Sequence, residues 1–218
     1  MNEKRITPLT HTIELIGEGK SPLLSVVIVD SRSKTAPNMV ERSIESVRRQ
    51  DFAKYIGQIE LIVVNNQDRF HTIGSCFNRG IDVAKGEWIL FLGDDDYITV
   101  DYLLSLWSFN NNVDRGKERI VVITSFSTYV DDEKEKKALV TKAPMGMYNR
   151  EYILQKRFNE SIIKYVDIDF MKRTEGENTK MLICTWHFGY HYCQHNDNVS
   201  GRKELLGNSI ETQRRKDV

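Results

Sequence analysis

Residues 88–92, Trp-Ile-Leu-Phe-Leu, are apolar without a break, and one glycine separates them from Asp94, Asp95 and Asp96. A short run of this kind shows neither helical nor alternating period and reads as a strand buried on both faces of a sheet. The acids follow where such a strand leaves the sheet, and in open α/β sheets ligands bind beyond the carboxyl ends of the strands. Adjacent carboxylates repel one another, so either a cation or full exposure to water must relieve them. Taken alone, the run of acids is most simply a solvated turn.

The rest of the chain supplies what such a strand needs. Leu23–Val29 is a second β-branched, doubly buried pattern that ends in the polar loop Asp30-Ser31-Arg32-Ser33. A helix from Asn38 to Gln50, with Met39, Val40, Ile44 and Val47 at helical spacing, makes this the start of a βαβ unit. Ile59–Val64 is the next strand, running into Asn65-Asn66-Gln67-Asp68, and the stretch 70–85 holds a helix with Phe77, Ile81 and Ala84 on one face. Val100–Phe109 is an amphipathic helix that Asn110–Asn112 should end. Ile120–Ser125 predicts a strand with a paired partner near 127–130, then a charged hairpin or loop at 131–137 and a helix at 151–156. Residues 1–21 read as an N-terminal extension able to pack on the sheet, 22–201 as the catalytic domain and 202–218 as a polar tail or helix.

Lysine plus arginine and aspartate plus glutamate balance at 31 each, so no global field favours nucleic acid or a membrane surface. No apolar run approaches the roughly 18 residues of a membrane span, and the polar start is unlike a signal peptide, so a soluble, cytoplasmic protein is expected. Cys76, Cys184 and Cys193 are odd in number and lack CxxC spacing, which favours reduced thiols. His187 and His191 stand four apart, as a metal pair on a helix would, but no glutamate completes an HExxH pattern; they read as structural or acceptor-side groups.

The stretch from Asn78 to Ile98 resembles the family 2 glycosyltransferases of the glycosyltransferase A fold. Asn78 and Gly80 match the family's Asn-x-Gly, and Ala84, Gly86 and Glu87 its Ala-x-Gly-Glu. Phe91-Leu92 and the aspartates match its strand ending in an acid cluster. Residues 165–173, YVDIDFMKR, and 192–201, YCQHNDNVSG, resemble the rhamnosyltransferase-like subgroup, with Cys193 where an arginine is common. The likeness covers 22–201 and is weakest at the nucleotide end. There Val29-Asp30-Ser31-Arg32 replaces a Pro-Thr-Tyr-Asn-like loop, and Asn65 stands where an aspartate usually reads the base. An amide offers both donor and acceptors, so the base it selects need not be the usual one.

The resemblance implies an α/β domain with a Rossmann-like, mostly parallel mixed sheet and helices on both faces. It further implies metal-dependent, inverting transfer of a sugar from a nucleotide-diphosphate sugar to an acceptor hydroxyl. Asp30, Ser31 and Asn65 are then nucleotide contacts, and Asn78 and Arg79 lie by the donor, a guanidinium being suited to phosphate. Asp94 and Asp95 fall to the donor and ribose, and Asp96 with His195 to a manganese or magnesium ion, whose hard oxygen preference suits carboxylates. Asp167 is the general base, because inversion needs the base on the face opposite the leaving group and therefore from another segment; Asp169 is turned to a different task. The acceptor is open among a glycan, a lipid-linked glycan, a protein and a hydroxylated nucleic-acid base. Two rivals remain. A sugar-phosphate nucleotidyltransferase would carry a glycine-rich loop after the first strand, absent from 31–37. A non-catalytic nucleotide-sugar-binding protein of the same fold would tolerate the departures at Asp30, Asn65 and Cys193.

Overall fold

A computed structural model of the chain describes residues 8–112, 119–131, 136–142, 146–174, 179–185 and 187–195. The first half runs β1 (Thr10–Ile16), β2 (Leu24–Asp30), α1 (Pro37–Arg48), α2 (Asp51–Tyr55), β3 (Ile59–Asn65), α3 (Ile73–Val83) and β4 (Trp88–Leu92). After it come β5 (Tyr97–Ile98), α4 (Tyr102–Asn112), β6 (Arg119–Asp131), β7 (Lys136–Lys142) and β8 (Met147–Asn149). The last elements are α5 (Arg150–Lys156), α6 (Val166–Thr174), β9 (Thr179–Cys184) and β10 (Tyr190–Gln194).

One mixed sheet, in the order β1-β3-β2-β4-β8-β6-β10-β5, organises these elements, with β7 and β9 also paired to β6. Its centre, β3–β2–β4, is parallel. The full burial of β2 and β4 along their length reflects helices on both faces, as the unbroken apolar run of β4 and the Val26–Val29 run of β2 require. The period of two divides them cleanly. Val26 and Ile28, with Leu90 and Leu92, pack with Val47, Phe52 and Leu106 from the α1, α2 and α4 layer. Val27 and Val29, with Ile89 and Phe91, pack with Phe77, Ile81, Ile153 and Phe170 from α3, α5 and α6. Phe91 sits in an aromatic nest, 4.8 Å from the ring of Phe77 and 5.1 Å from that of Phe158. Pairs of this geometry add roughly 0.5–1.5 kcal/mol each beyond their buried area.

Two small residues of the glycosyltransferase-like motif are packing devices. A Cβ on Gly80 would come within 2.4 Å of Val27 Cγ1, and one on Gly86 within 2.4 Å of Ser25 N. Both glycines thus let α3 and its exit approach the sheet where no larger residue fits. The three cysteines are buried free thiols, and burial pushes the Cys76 thiol up to about 12.

Some local expectations differ from the fold. Residues 10–16 form an edge strand antiparallel to β3, with Ile13 opposite Ile62. Residues 119–131 are one long strand, where a strand and its partner were expected; its antiparallel partners among the described residues are β7 and β8. α4 continues through Asn110–Asn112, with Asn110 buried, so tertiary packing overrides their weak helix propensity. The residues around His187 and His191 are irregular chain and strand, so the two do not share a helix face. Residues 132–135 of the charged loop, 196–201 of the second motif and the tail at 202–218 lie outside the described residues.

The length of β6 positions the site. Its first half pairs with β8 and β9, and its second half with β10, which in turn pairs with the two-residue β5 directly after the acids. Tyr190, Cys193 and His195 thereby arrive beside residues a hundred positions earlier in the chain.

Candidate active site

The acid loop is held by its neighbours before its carboxylates are considered. Ser43 Oγ of α1 donates to the Gly93 carbonyl at 2.8 Å, and Arg42 Nη2 donates to the Asp95 carbonyl at 2.9 Å. The Arg42 guanidinium also lies 4.7 Å over the Tyr97 ring, which stacks on His191 with centroids 4.4 Å apart.

The three aspartates then go separate ways. Asp94 Oδ2 accepts from the Ser31 amide at 2.7 Å, while Oδ1 accepts from Arg32 Nη1. Asp95 Oδ2 faces Arg32 Nη2 at 3.0 Å and His195 Nε2 at 3.1 Å. Asp96 turns inward, where Oδ2 accepts from the Tyr190 hydroxyl at 2.7 Å and Oδ1 from the Cys193 amide at 2.9 Å. Their environments separate their acidities. Burial pushes the Asp94 carboxyl up to about 6 against the pull of Arg32. Burial also acts on Asp95, but the His195 hydrogen bond and the Arg32 charge outweigh it and hold Asp95 below the usual range. Burial, with the Asp95 charge beside it, holds Asp96 well above that range.

Asp94 and Asp95 open onto a cavity of about 380 Å³, within the range of small-molecule sites. Ser31 and Arg32 line it from the loop after β2, and Lys164, Tyr165 and Asp167 line it from the approach to α6. Tyr165 adopts φ 57°, a left-handed conformation that costs a non-glycine residue on the order of 1–3 kcal/mol and concentrates at functional sites. Asp167 sits in the first turn of α6, and burial raises its carboxyl above the ordinary value while the Ile168 and Asp167 amides oppose the rise. Asp169, two positions on, pairs instead with Arg173 on the outer face at 2.7 Å. The sequence thus brings together Ser31, Asp94, Asp95 and Asp167, with His195 bonded to Asp95.

Other candidates stand elsewhere. The Asp30 carboxylate folds back on its own loop, accepting from Ser33 N, Ser33 Oγ and Gln67 Nε2. Asn65 is exposed at the end of β3, lines a smaller recess with Asn66 and His71, and accepts from the Gln67 amide. Asn78 is buried and clamps the segment before α6: Nδ2 donates to the Phe158 carbonyl and Glu160 Oε1, and Oδ1 accepts from the Phe158 amide at 2.8 Å. The side chain that the resemblance assigns to the donor is here taken up in bracing the segment before α6. Arg79 is not among the cavity-lining residues. His187 bonds Asp101 at 3.1 Å on the outer surface.

Arg32 and Lys164 are the cavity's cations, and sequence reasoning gave neither a role in it. A signal for Arg32 existed, since a cation two residues past one strand end faces an acid run past the neighbouring strand end.

The expected metal role does not fit this arrangement. Asp96 has both oxygens engaged away from the cavity, the other expected ligand His195 is bonded to Asp95, and the Arg32 guanidinium bridges Asp94 and Asp95. Among the described residues no group of three or more histidine, cysteine, aspartate or glutamate side chains is placed to hold a metal ion.

No family model matches the chain. In sequence it is similar to the amylovoran biosynthesis glycosyltransferase AmsB of Erwinia amylovora, 24% identical over 193 residues, which are 79% of this chain and 61% of AmsB. In structure it is similar to S. aureus TarS 1–349 in complex with UDP-GlcNAc, with a TM-score of 0.61 and 16% identity over 80% of this chain and 59% of that one. The UDP complex of the same protein gives a TM-score of 0.59 and 16% identity over 79% and 61%. The chain therefore spans about three fifths of the proteins it resembles. Among the described residues no helix is long and apolar enough to cross a membrane. The fold is the mixed α/β fold of TarS, the glycosyltransferase A fold that the motifs implied.

Proposed function

We propose that the chain is the catalytic unit of an inverting glycosyltransferase that moves a hexosyl group from a UDP-sugar to a hydroxyl of a glycan. The observation that carries this reading is the meeting of two segments at one cavity. The acids and cation at the ends of β2 and β4 lie where this fold type places ligands, and Asp167 reaches the same cavity from α6. UDP as the nucleotide is supported by the UDP and UDP-GlcNAc complexes of the structural neighbour, and sugar transfer as the reaction by the name of AmsB, an amylovoran biosynthesis glycosyltransferase. Tyr165, lining the cavity and 47% exposed, offers a ring face for a sugar. The likeness of 165–173 to rhamnosyltransferase-like proteins supports inversion and makes a deoxyhexose the second donor to try.

In the reaction Asp167 takes the proton of the acceptor hydroxyl, and the oxygen attacks the anomeric carbon of the donor. The bond from that carbon to the diphosphate breaks, and the electron pair leaves with UDP. Burial of Asp167 raises its basicity toward the range where a carboxylate is an effective base, and the apolar cavity wall at Phe77 and Leu92 disfavours competing water.

Calorimetric titration with UDP, dTDP, GDP and CDP tests the donor assignment. Micromolar binding confined to UDP is expected; preference for another nucleotide overturns the UDP assignment, and a folded chain that binds none of them overturns the enzyme reading.

A further inference from the structure

A hard divalent cation is one way to neutralise a departing diphosphate, and in this chain a guanidinium lies across two of the acids that face the cavity. Arg32 follows β2 by two residues, and its side chain is 10% exposed. Its guanidinium forks across two different carboxylates, Nη1 to Asp94 Oδ1 and Nη2 to Asp95 Oδ2 at 3.0 Å, and both acids line the cavity with it. A planar fork of this kind holds its position far better than a lysine would and stays charged at every accessible pH. For a divalent ion to sit between Asp94 and Asp95, Arg32 would have to leave, stranding a buried positive charge away from its acids.

The surrounding structure defends the arrangement. The Ser31 amide fixes Asp94 at 2.7 Å, His195 fixes Asp95 at 3.1 Å, and Arg42 grips the main chain of Asp95 at 2.9 Å. Asp96, the acid that would complete a metal shell, is committed to Tyr190 and Cys193. A second cation, Lys164, lines the cavity from the approach to α6. A diphosphate entering it therefore meets positive charge from two segments of the chain, one rigid and bidentate, the other a mobile ammonium.

Building on the donor reading above, we propose that Arg32 stands in for the divalent cation: with Lys164 it receives the diphosphate of the nucleotide sugar, so donor binding needs no metal. Bond making and breaking are unchanged. The negative charge that develops on the leaving UDP is met by fixed guanidinium and ammonium groups, which need no reorganisation as the bond breaks.

The test is calorimetric titration of UDP into the wild-type chain in EDTA and again in millimolar manganese, followed by Arg32→Ala and Lys164→Ala in EDTA. Wild-type dissociation constants within about twofold in the two buffers are expected, since no metal contributes. Arg32→Ala should weaken UDP at least tenfold in EDTA, and Lys164→Ala, a change at a partly exposed site that leaves the acid loop intact, about three- to tenfold. Binding of UDP that appears only with manganese overturns the proposal while leaving the donor reading in place, as does an Arg32→Ala chain that binds UDP as tightly as wild type in EDTA. Absence of UDP binding in both buffers removes the donor reading itself and the proposal with it. The wild-type comparison stands even if Arg32→Ala does not fold.

Discussion

Replacing Asp167 with asparagine takes one proton acceptor out of the cavity and little else. The side chain keeps its size, and its carbonyl oxygen can still accept from the α6 amides that now face the carboxylate. Among the described residues Asp167 makes no ion pair, so the fold should lose little, within about 0.5–1 kcal/mol. Removing a positioned general base lowers turnover by about 10²–10⁴-fold. At about 1.36 kcal/mol per tenfold, that is about 3–5 kcal/mol of transition-state stabilisation. The loss should fall on kcat and leave the dissociation constant of UDP within about twofold, because the nucleotide is held by groups after β2 and β4. The pH profile adds a sign. A base works when deprotonated, so wild-type kcat/KM should fall as pH falls through the raised Asp167 value, above the ordinary carboxylate range, and this limb should vanish in the variant. UDP release from a UDP-sugar in the presence of an acceptor glycan reads the rates, and calorimetry reads the affinity. An asparagine variant with more than about a fifth of wild-type turnover, or one that loses UDP affinity in proportion to rate, would refute the assignment.

Further outcomes follow from the packing and the charges. Gly80→Ala places a methyl 2.4 Å from Val27 Cγ1 and should cost about 1–3 kcal/mol, read from urea denaturation midpoints. Asn78→Ala leaves the Phe158 amide and carbonyl without their side-chain partner, at about 1–3 kcal/mol for each group left unsatisfied; UDP affinity should hold if Asn78 is a brace and fall if it touches donor. Asp94 is raised from 3.8 to about 6, so the folded state holds its proton more tightly than the unfolded chain. Its contribution to stability is full below about pH 4 and is lost as pH rises through about 6. Carboxyl carbon shifts should therefore show an aspartate titrating near 6 that is missing from Asp94→Asn, and an ordinary midpoint near 4 would contradict the burial argument.

How much of this was legible in the sequence depended on the kind of signal. β4 was readable to the residue, and β2 and β3 nearly so, because runs of four or five consecutive apolar residues, mostly β-branched, leave only a two-faced strand. β5 was not, since two residues carry no period and exist as strand only through pairing with β10. α2 is likewise too short for a periodicity, and β6 looked like two strands because polar residues at Thr124 and Ser125 interrupt its apolar run, though both are buried. In the site, Ser31, Asp94 and Asp95 could be placed because each lies past the end of a strand whose position the pattern determines, whereas Asp167 was pointed to only by the resemblance of 165–173, with no helix read there. The motif pair Asn78 and Gly80 was visible but its work was not: spacing cannot tell a residue that touches a ligand from one that holds the loop beneath it. The inward turn of Asp96 is set by Tyr190 and Cys193, some hundred residues away, and no local pattern encodes that choice. Lys164 is a single cation of the commonest surface type that only the cavity singles out, whereas Arg32 carried a weak signal in its place two residues past the end of β2.

The central claim is that the cavity bounded by Arg32, Asp94, Asp95, Lys164 and Asp167 is where a UDP-sugar is held for transfer. Crystals of the chain grown with UDP test it most directly. The diphosphate is expected within hydrogen-bond reach of Arg32 and Lys164, with Asp167 left open to the space where the sugar would lie. UDP bound elsewhere on the molecule, or a cavity without nucleotide at millimolar UDP, would contradict it.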